Sequence, residues 1–298
     1  MRFGLTTPIV TLTARGHGPW EVDAGPDELR TIAIAADRLG FHHLTCSEHV
    51  GIPTDVVATR GARYYDPLAT FGYLAAFTTR IRFATHVLVL PYHHPLEVAK
   101  RYGTLDVVCG GRLILGVGVG SLQPEFQLLG ADFAGRGARY EDALRALRAV
   151  LGRRTPEYHG THFDIAGFVV DPPARQQRMP IWLGGKTPRS LRRALTFADG
   201  WDPFYLTVDE LGTLLAKARE WPEWRARRER AEPFTLVFSP DEVFDITRAA
   251  EREQMAALFR RYAALGTDVL SLRFRSSSCA HLVEQLEILE KNIAPEFV

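Results

Sequence analysis

The chain is poor in sulfur. Its three cysteines, Cys46, Cys109 and Cys279, are odd in number and widely spaced, so neither a disulfide framework nor a cysteine-built zinc site is expected. A reducing compartment fits this usage, and a cytoplasmic location is expected. Long apolar runs are also missing. No uninterrupted stretch reaches the roughly 18 residues of a membrane-spanning helix, and the start lacks the basic-then-apolar pattern of a signal peptide. An excess of one charge is absent too: Lys and Arg total 36 against 35 Asp and Glu. That balance argues against nucleic acid and membrane as partners. Only four of the basic residues are lysine, a bias read as genomic base composition rather than a binding surface. Neither an H-E-x-x-H run nor a G-x-S-x-G elbow occurs. His86, His93 and His94, with Glu97 nearby, invite a metal. However, His93 and His94 are adjacent, would diverge, and run into Pro95, so no metal is expected.

What is present alternates. Strand-like stretches lie at 2–8, 42–46, 81–90, 112–117, 181–183, 201–206, 234–238 and 268–273. Helix-like stretches opening at Pro26, Asp66, Pro95, Gly135, Pro188, Val208, Arg248 and Ala280 follow them. Many of these carry start signals such as Asp66-Pro67 and Thr187-Pro188. Eight alternations with Val-, Ile-, Leu- and Phe-rich strands predict an α/β fold, a (β/α)8 TIM barrel; a doubly wound sheet is the rival. No linker or repeat is evident, so residues 1–298 are read as one domain. Residues 155–179 are read as an insertion with hairpin character.

In such a barrel the chemistry lies just past the strand ends. Those positions include Thr6-Thr7-Pro8, Ser47-Glu48-His49, Thr85-His86-Val87, Gly118 to Ser121, Gly184 to Thr187 and Asp202-Pro203. Gly116-Val117-Gly118-Val119-Gly120-Ser121 is not a dinucleotide fingerprint. Its spacing is G-x-G-x-G, it sits on the fourth strand, and no helix follows directly. It reads either as small residues easing a barrel corner or as a strand end under a flat cofactor. Gly184-Gly185-Lys186-Thr187 combines glycines, a cation, a hydroxyl and a helix start, which suits a phosphate or another anion. The competing reading is an ordinary capped turn. His49 beside Glu48 offers a proton donor or acceptor near neutral pH, or simply two neighbours on a loop. Trp182, Trp201 and Phe204 read as core or pocket wall.

Taken in order, S-E-H on the second strand, T-H-V-L-V-L-P-Y-H-H-P on the third, and R-L-I-L-G-V-G-V-G-S followed by Glu125-Phe126 resemble the bacterial luciferase-like monooxygenase superfamily. So do R-G-A-R-Y-E-D-A-L, P-I-W-L-G-G-K-T and F-A-D-G-W. The branch resembled most is the one that uses the deazaflavin coenzyme F420. The resemblance implies a homodimer of barrels, each holding F420, or alternatively FMN, across the strand ends. It implies a ring near Thr85, His86, Val87, Gly118, Val119, Gly120 and Ser121, with the phosphate near Gly184, Gly185, Lys186 and Thr187. It implies a bulge with a non-proline cis bond at His86–Val87, and proton transfer through Glu48 and His49. His86 departs from the small residue usual there. The implied activity is hydride transfer to or from a small organic substrate. The alternatives are an FMN-dependent monooxygenase acting on O2 and a non-catalytic flavin-binding protein. Lys186, Arg189 and Arg192 would suit the anionic F420 tail. The loop 51–65 and the hairpin around Phe168 are candidate lids.

Overall fold

Eight parallel strands close on themselves in chain order. They are β1 (Arg2–Leu5), β2 (His43–Cys46), β3 (Arg82–Thr85), β4 (Leu113–Gly118), β5 (Ile181–Gly184), β6 (Gly200–Asp202), β7 (Thr235–Phe238) and β8 (Val269–Leu272). Each pairs with its sequence neighbours, and β8 returns to β1. The computed structural model describes residues 1–13 and 16–297. Eight helices surround the strands: α1 (Pro26–Arg38), α2 (Pro67–Ala75), α3 (Pro95–Val108), α4 (Arg136–Val150), α5 (Pro188–Phe197), α6 (Val208–Ala218), α7 (Ala249–Ala264) and α8 (Cys279–Asn292). This is the (β/α)8 barrel that the alternation predicts.

Alternation along each strand divides the interior from the shell. On β4, Leu113, Leu115 and Val117 join the large core shared with the helices, whereas Ile114 joins a separate buried cluster with Ala84, Trp182, Val237 and Val269. That second cluster takes one residue from each of five strands and fills the lower lumen. His43 completes it. Its ring lies over Gly4, where a Cβ would come within 2.2 Å, and its Nε2 meets Ser271 Oγ at 2.9 Å. Helix starts follow the sequence signals. The Asp66 side chain accepts from the Ala69 N–H at 2.9 Å, and Thr187 accepts from the Ser190 N–H at 3.2 Å.

Three elements differ from the sequence reading. The third strand is not continuous over 81–90. It stops at Thr85, bulges through a cis His86–Val87 bond, and resumes as Leu88–Val89 against Val117 and Gly118. The β propensity of residues 81–90 gives no sign of such a break, but the family resemblance implies this bulge and its cis bond, and both are present. The sixth strand ends at Asp202, because Tyr205 takes a left-handed φ of 56° that no strand accommodates. The stretch after β4, read as loop, holds a short helix Gln123–Leu128. The insertion does form a hairpin, Tyr158–His159 against Asp164–Ile165, but it lies outside the barrel. Asp142 of α4 receives the Tyr158 hydroxyl and the His162 N–H. Lys100 of α3 donates to the Asp171 carbonyl, and Gln176 reaches Asp106 and the Leu113 carbonyl at the foot of β4. Phe168 is exposed on this outer flank, so the hairpin is no lid over the strand ends.

Candidate active site

The mouth of the barrel is organised by histidine–carboxylate contacts. Glu48 and His49 leave β2 side by side, yet each takes a different partner. The Glu48 carboxylate turns toward the bulge, accepting from the Val89 N–H at 2.7 Å and meeting His93 Nε2 at 2.8 Å. His49 Nδ1 lies 2.8 Å from Glu125 Oε2, on the short helix after β4. Glu125 is 1% exposed and also receives the Tyr92 hydroxyl at 2.9 Å and the backbone N–H groups of Val50 and Gly51. Burial alone would raise the Glu125 pKa; the hydrogen bond and charge of His49, with the bonds from Tyr92 and Val50, hold it below the ordinary value. An ionised carboxylate only accepts, so His49 Nδ1 carries the proton in this bond and Nε2 is its free nitrogen. The Tyr64 ring packs edge-on against the imidazole at 4.5 Å. Tyr64 belongs to the 51–65 loop, which is tied down by pairing of Arg63–Tyr64 with Thr11–Leu12.

The bulge carries the second arrangement. The His86 N–H donates to the Cys46 carbonyl, and Ser47 Oγ donates to the His86 carbonyl at 2.7 Å. The His86 side chain reaches the end of β6, where Nε2 lies 3.4 Å from Asp202 Oδ2. Burial would lower the His86 pKa; the Asp202 carboxylate outweighs it and the net direction is up. This contact is an ion pair without a well-aligned hydrogen bond: His86 Nε2 and Asp202 Oδ1 have no hydrogen-bond partner among the described residues.

The glycines of β4 and β5 make room for the bulge. A Cβ on Gly118 would meet Val87 at 2.5 Å, and one on Gly184 would meet it at 2.9 Å. Val87 therefore fills the space that both glycines leave. A Cβ on Gly120 would strike Val89 and Phe126. Thr85 faces β4, with its hydroxyl donating to the Gly116 carbonyl at 2.7 Å. Val119 packs against the main core, and Ser121 is exposed. Gly185 needs its positive φ of 102° to turn β5 into α5, and Trp201 Nε1 donates to its carbonyl at 3.0 Å. Lys186, Thr187 and Arg189 are exposed at this turn. The Ser190 N–H is taken by Thr187 and Pro188 has none, which leaves the Arg189 N–H open among the described residues. Arg192 is engaged elsewhere, against Glu223 at 3.5 Å and over the Trp221 ring at 4.0 Å.

The structure thus brings Glu48, His49, His86 and Val87 to one rim, with Gly118 and Gly184 beneath Val87. Gly185, Lys186 and Thr187 form a separate turn at the end of β5. Two partners went unassigned by the sequence, Glu125 and Tyr92, each visible only as part of a loose motif.

The whole barrel, residues 1–293, matches the luciferase-like monooxygenase family. The chain belongs to that family. An uncharacterised protein of Mycobacterium tuberculosis H37Rv is 31% identical over 219 residues, spanning 69% of this chain and 74% of that one. A protein of Microbacterium testaceum named F420-dependent glucose-6-phosphate dehydrogenase is 28% identical over 182 residues, 59% of this chain and 52% of its own. Among solved structures, the monooxygenase RslO1 of Streptomyces bottropensis superposes with a TM-score of 0.79 at 21% identity over all of both chains. An F420-dependent secondary alcohol dehydrogenase superposes at 0.76 with 14% identity over 98% of each. The FMN-bound oxygenating component of 3,6-diketocamphane monooxygenase from Pseudomonas putida does so at 0.70 and 16%, over 100% of this chain and 99% of its own. At those identities the likeness is one of fold. This luciferase-like chain thus has an F420-dependent relative and shares its fold with F420-dependent and FMN-bound proteins alike. No described helix is long and apolar enough to cross a membrane.

Proposed function

We propose that this luciferase-like protein is an oxidoreductase moving hydride between coenzyme F420 and a small organic substrate, with His49 exchanging the accompanying proton. The observation that carries the reading is the His49–Glu125 contact at the barrel mouth. Such a pair fixes the imidazole tautomer and leaves Nε2 as the proton-exchanging atom.

The residues present fit a flavin-type group. Unspent polar atoms face the lumen at His86 and Asp202. The start of α5 has an open N–H and exposed cations, a combination that favours anions. The group would be held by Val87 and the bulge below, by Gly118 to Ser121 along one side, and by Gly185 to Thr187 at its phosphate. When bound, it supplies the hydride chemistry, while the protein supplies orientation and electrostatics. Glu125 holds His49 and keeps its Nδ1 proton in place. Glu48 ties His93 to the bulge through the Val89 N–H. Tyr64, packed on the imidazole, shields one face of it from water.

F420 is preferred over FMN on the named function of the Microbacterium relative and on Lys186 and Arg189, which have no carboxylate within 4 Å among the described residues. Titration of the apoprotein with F420 and with FMN, followed by fluorescence, tests the choice. F420 is expected to bind in the micromolar range. Binding of FMN alone would replace this reading with that of an oxygen-using monooxygenase. A His49→Ala variant that turns over a broad substrate panel at the wild-type rate would remove the proton-transfer role.

A further inference from the structure

The other buried carboxylates near the mouth have hydrogen-bond partners. Glu48 and Glu125 are bonded as described, and Glu21 accepts from the Ile9 and Gly18 N–H groups. Asp202 is the exception. Its side chain is 3% exposed, its Oδ1 has no partner, and its Oδ2 faces a His86 Nε2 that also lacks a hydrogen bond. Strands β3 and β6 are three places apart in a ring of eight, so this contact spans the lumen. It lies above the plug of Ala84, Ile114, Trp182, Val237 and Val269. Desolvating a carboxylate without satisfying it is costly. The arrangement suits an occupant that donates to Asp202 and accepts from His86 through neighbouring atoms. A carboxylate ligand would be repelled by Asp202, and an amine would leave His86 unmet. An N–H next to a C=O satisfies both.

We propose that His86 and Asp202 form a subsite for a cyclic amide edge, with Asp202 Oδ1 accepting the N–H and His86 Nε2 donating to the adjacent carbonyl. The occupant is the pyrimidinedione edge of the flavin-type ring. This rests on the flavin-type reading above but not on the choice between F420 and FMN, because both rings carry that edge. Neither residue performs chemistry here; both position the ring.

The test uses binding, not turnover. Apoprotein is titrated with riboflavin and 5-deazariboflavin and with the N3-methyl derivative of each, following ring fluorescence. N3-methylation removes the hydrogen that Asp202 accepts. In the wild type it is expected to weaken binding by about 10-fold or more, as for loss of a hydrogen bond to a charged group. In Asp202→Ala the parent compounds weaken and the discrimination falls to within about twofold. Asp202→Asn, which keeps an oxygen acceptor, restores part of it. His86→Ala weakens the parents while the N3-methyl discrimination persists. Thermal unfolding checks that each variant is folded. Equal binding of parent and N3-methyl compounds by the wild type overturns the subsite and leaves the flavin-type reading standing. So does undiminished discrimination in Asp202→Ala. Failure of all four compounds, and of FMN and F420, to bind the wild type overturns both.

Discussion

Two of the histidine–carboxylate pairs at the mouth are built on opposite principles. Glu125 is satisfied four times over, by His49, Tyr92 and two backbone N–H groups. Asp202 has one loose contact and an open oxygen. The first pair is complete without any ligand, which is what a proton-exchanging group requires if its geometry is to precede the substrate. The second is incomplete, which is what a binding subsite looks like before its occupant arrives. Removal should therefore separate them. Replacing Glu125 by Ala strands buried donors and is expected to cost about 3 kcal/mol of stability, read by urea unfolding. It should also lower turnover by about 100-fold or more. Replacing Asp202 by Asn should cost the apoprotein only about 1 kcal/mol, because losing the loose His86 contact is offset in part by removal of a partly unpaired buried charge. Equal losses from the two substitutions would break the distinction.

A test of the floor beneath the second pair comes next in size. Gly118→Val drives a branched side chain into Val87, where a Cβ alone comes within 2.5 Å. It is expected to cost about 1–3 kcal/mol and to shift the bulge that presents His86. Unfolding and riboflavin binding should both report it.

The pairs also titrate in opposite windows. Glu125 sits below its ordinary value of 4.5, so its contribution is full above that pH and is lost as pH falls through the depressed value. His86 sits above its ordinary value of 6.5, so its contribution is full below pH 6.5 and is lost as pH rises through the elevated value. Glu125→Gln should flatten the acid limb of the stability profile, and His86→Gln the alkaline limb. Unchanged limbs would show that neither pair is ionised as described. A small effect is also expected from Tyr92→Phe, which deletes one of the four donors to Glu125 for about 1 kcal/mol, read by urea unfolding.

The barrel itself was legible. Its strand periodicity, capping residues and turn glycines are local signals, and they agree with one another. The rim was legible only in part. Glu48 and His49 stand out at a strand end, but their separate partners do not, because Glu125 lies 76 residues from His49 on a helix of six residues. Asp202 stood out only as a strand end. Its contact with His86 joins residues far apart in sequence, and no spacing rule encodes it. The same limit explains Phe204 and Tyr205, whose β propensity is overridden by a left-handed turn. It also explains Phe168, whose position on the outer flank is set by tertiary bonds to α3 and α4.

The plug of Trp182, Ile114, Val237 and Val269, with His43 fitted over Gly4, closes the lumen from below. The barrel is therefore a vessel with a single doorway. Whatever docks deepest must enter first and leave last, so under the proposed function a cofactor and its substrate would keep to an ordered queue. A second ligand too tightly held would trap the first behind it.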